Sequence, residues 1–372
     1  MRTRGAIIRQ TPGKYEVVDL ELDDPIQDEI QVAMVASGLC HSDDHIATGD
    51  LPVDVYPVCA GHEGAGIVQK VGPKTRGWEV GDHVVFTFLA TCGRCRWCAT
   101  GQQNLCDNGA LTLGGARPGD PTSFRLHLDD GTNVGQAAGI STFAAHTTVH
   151  VSSAIKVDND LPLETLCLLG CGVGTGWGSA VNSAEVGPSD TVIVMGIGGI
   201  GINAVQGAVH AGATHVVAVD PVAFKREKAL EFGATHAFAD IAEADAFAKS
   251  VTNGQGADSA IVTVGVVHGE HIAQAFEAIR KAGTVVVTGV APLMEVGIPI
   301  SPAMLTLFQK RIQGSLYGAL NATYDIPRQI QMYRDGKLKL DELVTREYAL
   351  DEIAQGYEDM HAGVNIRGII RY

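Results

Sequence analysis

Thr191-Val192-Ile193-Val194-Met195-Gly196-Ile197-Gly198-Gly199-Ile200-Gly201 is the stretch on which the fold turns. Its first five residues are apolar without alternation, which predicts a strand buried on both faces, as in a parallel sheet. Ile202-Asn203-Ala204-Val205-Gln206-Gly207-Ala208-Val209 then continues with helical periodicity. Glycines in a Gly-x-Gly-x-x-Gly pattern are weak evidence alone, but between a strand and a helix they read as a dinucleotide fingerprint. Gly196 permits the tight turn, Gly198 lets backbone approach a pyrophosphate, and Gly201 lets the helix pack closely on the strand. Gly199 and Ile200 complete the turn at the helix N-terminus. Asp220 follows Gly201 by nineteen positions, after a second apolar run from His215 to Val219. A carboxylate there accepts hydrogen bonds from an adenosine ribose and repels a 2′-phosphate, so NAD is expected rather than NADP. The bland alternative, a glycine-rich turn without a ligand, is disfavoured by this context.

Strand and helix signals alternate onward. Ser259 to Val264 and Thr284 to Thr288 predict further strands, and Phe224 to Phe232 and Glu270 to Lys281 predict helices. Alternation of this kind gives a doubly wound α/β domain. Upstream the texture differs: Gly5 to Ile8, Glu29 to Val35, Gly66 to Val71 and His83 to Phe86 are short β-rich runs punctuated by Gly, Pro and Asp. They predict a compact antiparallel barrel or sandwich. Residues 109–140, rich in Gly, Asp and Pro, predict a long surface excursion of functional use. After about residue 316, a helix over Tyr324 to Arg334 and a closing strand over Asn365 to Ile370 are expected to return to the first domain.

The chain has 372 residues, which suggests two domains. Its formal charge of -15 disfavours nucleic acid and anionic membrane as partners, since both require clustered Lys and Arg. Charges interrupt Met1 to Arg9 before a signal or membrane span can develop, and a cytoplasmic protein is expected. The eight cysteines then read as metal ligands or reduced core thiols rather than as a disulfide framework.

Four of them, Cys92, Cys95, Cys98 and Cys106, are close enough in sequence for one loop to wrap a tetrahedral Zn²⁺ and leave no open position, a structural site. A redox use of the Cys-x-x-Cys pairs is the competing reading, weakened by their place on a loop. A second, mixed set is Cys40, His62 and Cys171. Two thiolates and an imidazole leave a fourth zinc position for water or substrate, and such a centre acts as a Lewis acid on an alcohol oxygen. Taken singly, each of the three could be an ordinary core residue.

Gly61-His62-Glu63-Gly64-Ala65-Gly66, the four-cysteine spacing and the glycine turn resemble the zinc-containing medium-chain alcohol dehydrogenase family, from near residue 5 to the C-terminus. The resemblance implies a GroES-like β-barrel catalytic domain, residues 1–172 with the zinc loop 92–106, resumed over 317–372, with a Rossmann domain, 173–316, inserted. It implies two zinc ions per subunit and NAD. Cys40, His62 and Cys171 would hold the catalytic zinc, with Glu63 close behind the metal and Asp43 orienting His62. Ser42 would hydrogen-bond the substrate hydroxyl, and its proton would pass to a surface histidine, matched here by His45. Thr175, Asp220, Lys225 and Arg367 match cofactor contacts. Leu51, Phe88 and Phe143 match the substrate-pocket wall, a plain core role being the alternative for the two phenylalanines. His41 stands where many members carry an Arg on the pyrophosphate. Ala110 stands where the glutathione-dependent formaldehyde type carries an Arg, which argues against a glutathione conjugate.

Gly201 to Ala208, Val219 to Glu227, Gly233 to Asp240 and Asp341 to Thr345 are similar to the actinobacterial dehydrogenases called NDMA-dependent. That resemblance implies NAD held without exchange, a small alcohol or aldehyde as substrate, and a mycofactocin-type redox carrier as electron acceptor. An aldehyde dismutase that recycles bound NAD keeps the same site, and a non-catalytic nucleotide-binding protein keeps only the fold. Family members associate through their Rossmann domains, so a homo-oligomer is expected, around Val296 to Gln313.

Overall fold

The buried strand and the helix flanking the glycine turn form as Thr191–Met195 and Gly201–His210. The structure, a computed structural model, describes residues 1–372 except the side chains of residues 110–112, so the Ala110 position lies outside the described side chains. The chain divides into two compact units: Met1–Cys171 with Asn321–Gln331 and Leu340–Tyr372, and Gly172–Leu320 with Met332–Lys339.

In the second unit six parallel strands run in the order His236–Phe238, His215–Val219, Thr191–Met195, Ala257–Val262, Ile279–Val287 and Arg311–Gly314. After Thr191–Met195 the chain adds strands first on one side and later on the other. The glycine turn therefore sits where the strand order reverses, the place where open α/β sheets bind ligands. Ile193, Val217, Ala260, Val262 and Phe276 fill the core on one face, and Ala244 and Ala248 let the helix Ile241–Val251 lie close to it. The helix expected to reach Lys281 stops at Ala278. Ile279 adopts extended backbone, is buried, and opens the next strand against Ala257. The return to the first unit begins at Asn321 rather than 317, and Met332–Lys339 stays with the second. Lys339 explains this, exchanging two backbone hydrogen bonds with the Gln206 side chain, 2.8 and 3.0 Å, while its Nζ donates to Glu231 O at 2.6 Å.

In the first unit, Arg2–Ile8, Tyr15–Leu22, Leu126–His127, Asn133–Gln136 and Val58–Cys59 close a barrel. A second sheet centres on Glu29–Gly38, which pairs with Gly64–Val71, His146–His150 and Arg367–Arg371. The segment 109–140, expected as a surface excursion, supplies two of the barrel strands. It is also pinned from inside. Arg125 is fully buried and donates to Glu29 Oε1 (2.8 Å) and Gln136 Oε1 (2.8 Å), while Arg117 donates to Glu29 Oε2 and to Asp23 Oδ2 (3.1 Å). A polar segment reads as solvent-facing by composition; here its two arginines are turned inward onto one buried carboxylate.

Candidate metal centre and dinucleotide turn

Cys40 is the N-cap of the short helix His41–Thr48, with extended backbone and no capping hydrogen bond from its side chain. The sulfur is thus directed elsewhere, and it meets residues remote in sequence. One ligand atom each from Cys40, His62, Glu63 and Cys171 lie within 4.8 Å of one another, all four residues buried. A hydrogen bond with Cys171 holds the Cys40 thiol well below its ordinary range; burial opposes this, and the charge of His62 assists it.

His62 is oriented by Asp43. Asp43 Oδ1 accepts from Gly61 N at 2.8 Å, and Oδ2 lies 2.9 Å from His62 Nδ1. Gly61 has φ +90°, and a Cβ there would lie 2.4 Å from Phe143 N, so only glycine makes this turn. Burial disfavours a charged His62 ring, but Asp43 and Cys40 outweigh it and raise its pKa. With Nδ1 facing Asp43, Nε2 is left buried without a hydrogen-bond partner. A buried imidazole nitrogen costs free energy unless something binds it, and two thiols with a positioned imidazole are a donor set that suits zinc. Burial pushes the Glu63 carboxyl up, and Arg367 pulls against it. Arg367, also buried, donates to Glu63 Oε2 and, at 3.1 Å, to Leu39 O. Its expected cofactor contact and this carboxylate therefore draw on one guanidinium.

The remaining expected residues scatter around this centre. Ser42 Oγ lies 3.8 Å from Cys40 Sγ. His45, expected at the surface, is only 2 % exposed, because it lies on the inward face of the helix with Asp43, Ile46 and Ala47. The His41 ring has those of His45 and His361 as neighbours, with centroids 6.4 and 6.3 Å away, and burial lowers its pKa. Phe88 meets His62 edge-on at 5.6 Å, and half-buried Leu51 donates its N–H to His45 O. Phe143 is fully buried, its ring edge-on to those of Tyr15 and Tyr357. Two acidic residues here were not legible as partners. Asp44 Oδ2 pairs with His361 Nε2 at 2.8 Å, and Asp50 Oδ2 lies 3.3 Å from His45 Nδ1. For Asp50 the signal was Gly49, a helix-ending glycine that turns the next residue back toward the helix.

Cys92, Cys95, Cys98 and Cys106 form the second cluster of possible metal ligands among the described residues. Cys92 and Cys98 sulfurs are 4.0 Å apart and those of Cys95 and Cys106 3.9 Å, near the roughly 3.8 Å that tetrahedral geometry gives for Zn–S bonds of about 2.3 Å. Backbone N–H groups of Arg94 and Cys95 hold the Cys92 thiol down to about 6. Cys98→Ala is expected to remove one zinc per chain and lower the thermal midpoint by at least about 10 °C, read by metal analysis and calorimetry.

In the second unit Gly196 has φ +89°, and a Cβ on Gly201 would lie 1.9 Å from Gly196 O. Around Gly198 the space is open, and a Cβ there would meet no atom within 4 Å, while Gly199 and Ile200 are half-buried. Asp220 Oδ2 accepts from Ile197 N at 2.8 Å and Oδ1 from Val222 N at 2.9 Å, so this carboxylate also braces the turn. Thr175 is buried in Gly172–Gly178, and Lys225 is half-buried on Ala223–Glu231.

Residues 26–159 match the family described as alcohol dehydrogenase GroES-like domain, and residues 199–334 match zinc-binding dehydrogenase. The chain is 50% identical to an NDMA-dependent alcohol dehydrogenase of Amycolatopsis methanolica, over 100% of this chain and 99% of the relative. Among solved structures, an alcohol dehydrogenase zinc-binding domain protein from Burkholderia ambifaria superposes with a TM-score of 0.91 at 33% identity, covering 100% of this chain and 99% of that one. Benzyl alcohol dehydrogenase from Acinetobacter calcoaceticus gives a TM-score of 0.91 at 30% identity, with the same coverage.

Proposed function

This chain belongs to the zinc-containing medium-chain alcohol dehydrogenase family, and on that premise we propose that it oxidises primary or apolar alcohols to aldehydes with a tightly held NAD that an external acceptor reoxidises. The observation that carries the reading is the buried convergence of Cys40, His62 and Cys171, with Nε2 of His62 left unpaired. The 50% identity to an NDMA-dependent relative supports the external acceptor, and the retained NAD is what the resemblance to that subgroup implies.

Cys40, His62 and Cys171 would hold one zinc ion, which supplies a Lewis acid to the alcohol oxygen, and Cys92, Cys95, Cys98 and Cys106 a structural one. Asp43 keeps the His62 ring from rotating. Arg367 neutralises Glu63, so that the carboxylate adds little net charge behind the two thiolates. Ser42 would receive the hydroxyl proton and His45 pass it on. The turn from Gly196 to Gly201 would cradle the pyrophosphate of NAD, with Thr175, Asp220 and Lys225 of the same unit beside it, and the resemblance adds His41 and Arg367 to the cofactor contacts. Leu51 and Phe88 would border the substrate.

Asp220→Ala should reduce the preference for NAD over NADP by about ten- to a hundredfold, the worth of a charge-assisted hydrogen bond. Competition between the two nucleotides for the emptied protein measures it, and an unchanged ratio would assign the discrimination elsewhere. A second copy of the chain is the proposed assembly partner, supported by the edge strand Arg311–Gly314 and the exposed Leu293, Met294, Val296 and Leu307. Among the described residues no helix is long and apolar enough to cross a membrane. No disulfide joins any of the eight cysteines, which suits the reducing cytoplasm.

The function is tested by denaturing the purified protein and assaying the released nicotinamide nucleotide. About one per chain supports the trapped cofactor; none, with turnover of added NAD, leaves an ordinary dehydrogenase. Equal yields of acid and alcohol from aldehyde alone would make it a dismutase instead.

A further inference from the structure

A histidine that hands protons to water needs a route to water, and His45, 2 % exposed, has little of its own. The helix His41–Thr48 ends on left-handed Gly49, and the reversed chain brings Asp50 back against the ring. Asp50 Oδ2 lies 3.3 Å from His45 Nδ1 and accepts from Thr48 Oγ1 at 2.8 Å. Gly49 N and Leu51 N both donate to His45 O, at 3.0 and 3.1 Å, so the residues on either side of Asp50 are tied to the histidine it faces. The Asp50 side chain keeps 32% of its surface in solvent. One carboxylate thus touches the buried imidazole and the water outside it.

We infer that Asp50 is the outer station of the proton path, exchanging protons between His45 Nδ1 and solvent. The inference rests on the reading that His45 takes part in alcohol oxidation. Converting an alcohol to an aldehyde removes a hydride, which the nicotinamide accepts, and one hydroxyl proton. That proton arrives on the second ring nitrogen of His45; the Nδ1–H bond breaks, an O–H bond forms on Asp50 Oδ2, and water then takes the proton. Aldehyde reduction runs the same exchange backwards. The neighbouring titratable groups do not substitute for Asp50. Asp44 is paired with His361 of the helix Ile353–His361, Asp43 with His62, and the His41 ring stands 6.4 Å from that of His45. Asp50 acts through His45 and touches no substrate, so it is a positioning residue of the relay.

The test uses the full chain with its zinc and nicotinamide, benzyl alcohol as probe, and a bulky buffer such as HEPES at low and high concentration across the pH range. Asp50→Asn is expected to lower kcat about tenfold at low buffer, less than the roughly 10²–10⁴-fold of a group acting directly on the reacting proton, because Asp50 acts one step removed. KM should stay within about twofold, and concentrated buffer should restore most of the rate. Asp50→Glu should remain within about threefold of the parent. In proton NMR, the downfield Nδ1–H signal that His45→Gln removes should also vanish in Asp50→Asn. A loss that neither buffer nor glutamate repairs would make Asp50 a brace of the turn and overturn the inference. So would an unaltered Asp50→Asn rate while His45→Gln is slow and buffer-dependent. If His45→Gln itself leaves rate and pH profile unchanged, the reading of His45 fails first and this inference with it.

Discussion

Cys171→Ala should lower kcat/KM for alcohol oxidation by at least about a thousandfold while leaving the fold intact. Lewis-acid stabilisation of developing charge is worth several kcal/mol, and each 1.36 kcal/mol is a factor of about ten in rate. Removing one thiol from the Cys40–His62–Cys171 set leaves one thiolate, one imidazole and the Glu63 carboxylate, which Arg367 already occupies. That remnant binds zinc poorly. Because Cys171 also donates the hydrogen bond that lowers the Cys40 pKa, its loss should leave Cys40 more protonated and a still weaker ligand. The four-cysteine loop is built from other residues, so its metal and the thermal midpoint should change little. Steady-state kinetics together with a melting curve separates the two effects, and near-parental activity would remove Cys171 from the metal centre.

Glu29→Ala should destabilise the first unit by about 3–5 kcal/mol, the usual cost of breaking a buried ion pair from one side. Arg125, fully buried, would lose its Nε acceptor, and Arg117 would keep only the half-exposed Asp23. Burial raises the pKa of Glu29, but Arg125, the backbone N–H of Ile26 and Arg117 outweigh it, leaving the carboxyl below its ordinary value. A lowered carboxyl pKa contributes stability that is present above the unfolded-state value and is lost as pH falls through the folded one. The gap between parent and variant in urea melts should therefore be widest at neutral pH and narrow in acid. A pH-independent gap would mean that packing, not charge, is what Glu29 contributes.

These pairings mark where the sequence stops being readable. Thr191 to Gly201 could be interpreted without the structure because each cause is local: a continuous apolar strand, a turn that only glycine makes, a helix that starts at once. The zinc loop is legible for the same reason, its four thiols lying within one short segment. Cys40, His62 and Cys171 are ambiguous one by one, and it took the neighbouring motifs and the resemblance to favour reading them as one set before the structure brought them together. Glu29 and Arg125, 96 residues apart, and Asp44 and His361, 317 apart, leave no local trace at all. The segment 109–140 was misread for that reason, since Gly, Asp and Pro announce turns but not that Arg117 and Arg125 point inward. The burial of His45 is a similar case. A helix of eight residues has too few positions for its periodicity to say which face is covered.

The most direct measurement is the zinc content of the purified protein and of two variants, by mass spectrometry of the metal against protein concentration. The parent should contain two zinc ions per chain, and Cys171→Ala and Cys98→Ala one each, with alcohol oxidation abolished in Cys171→Ala. One zinc in the parent, unchanged by Cys171→Ala, would contradict a metal centre at Cys40, His62 and Cys171 and the chemistry assigned to it.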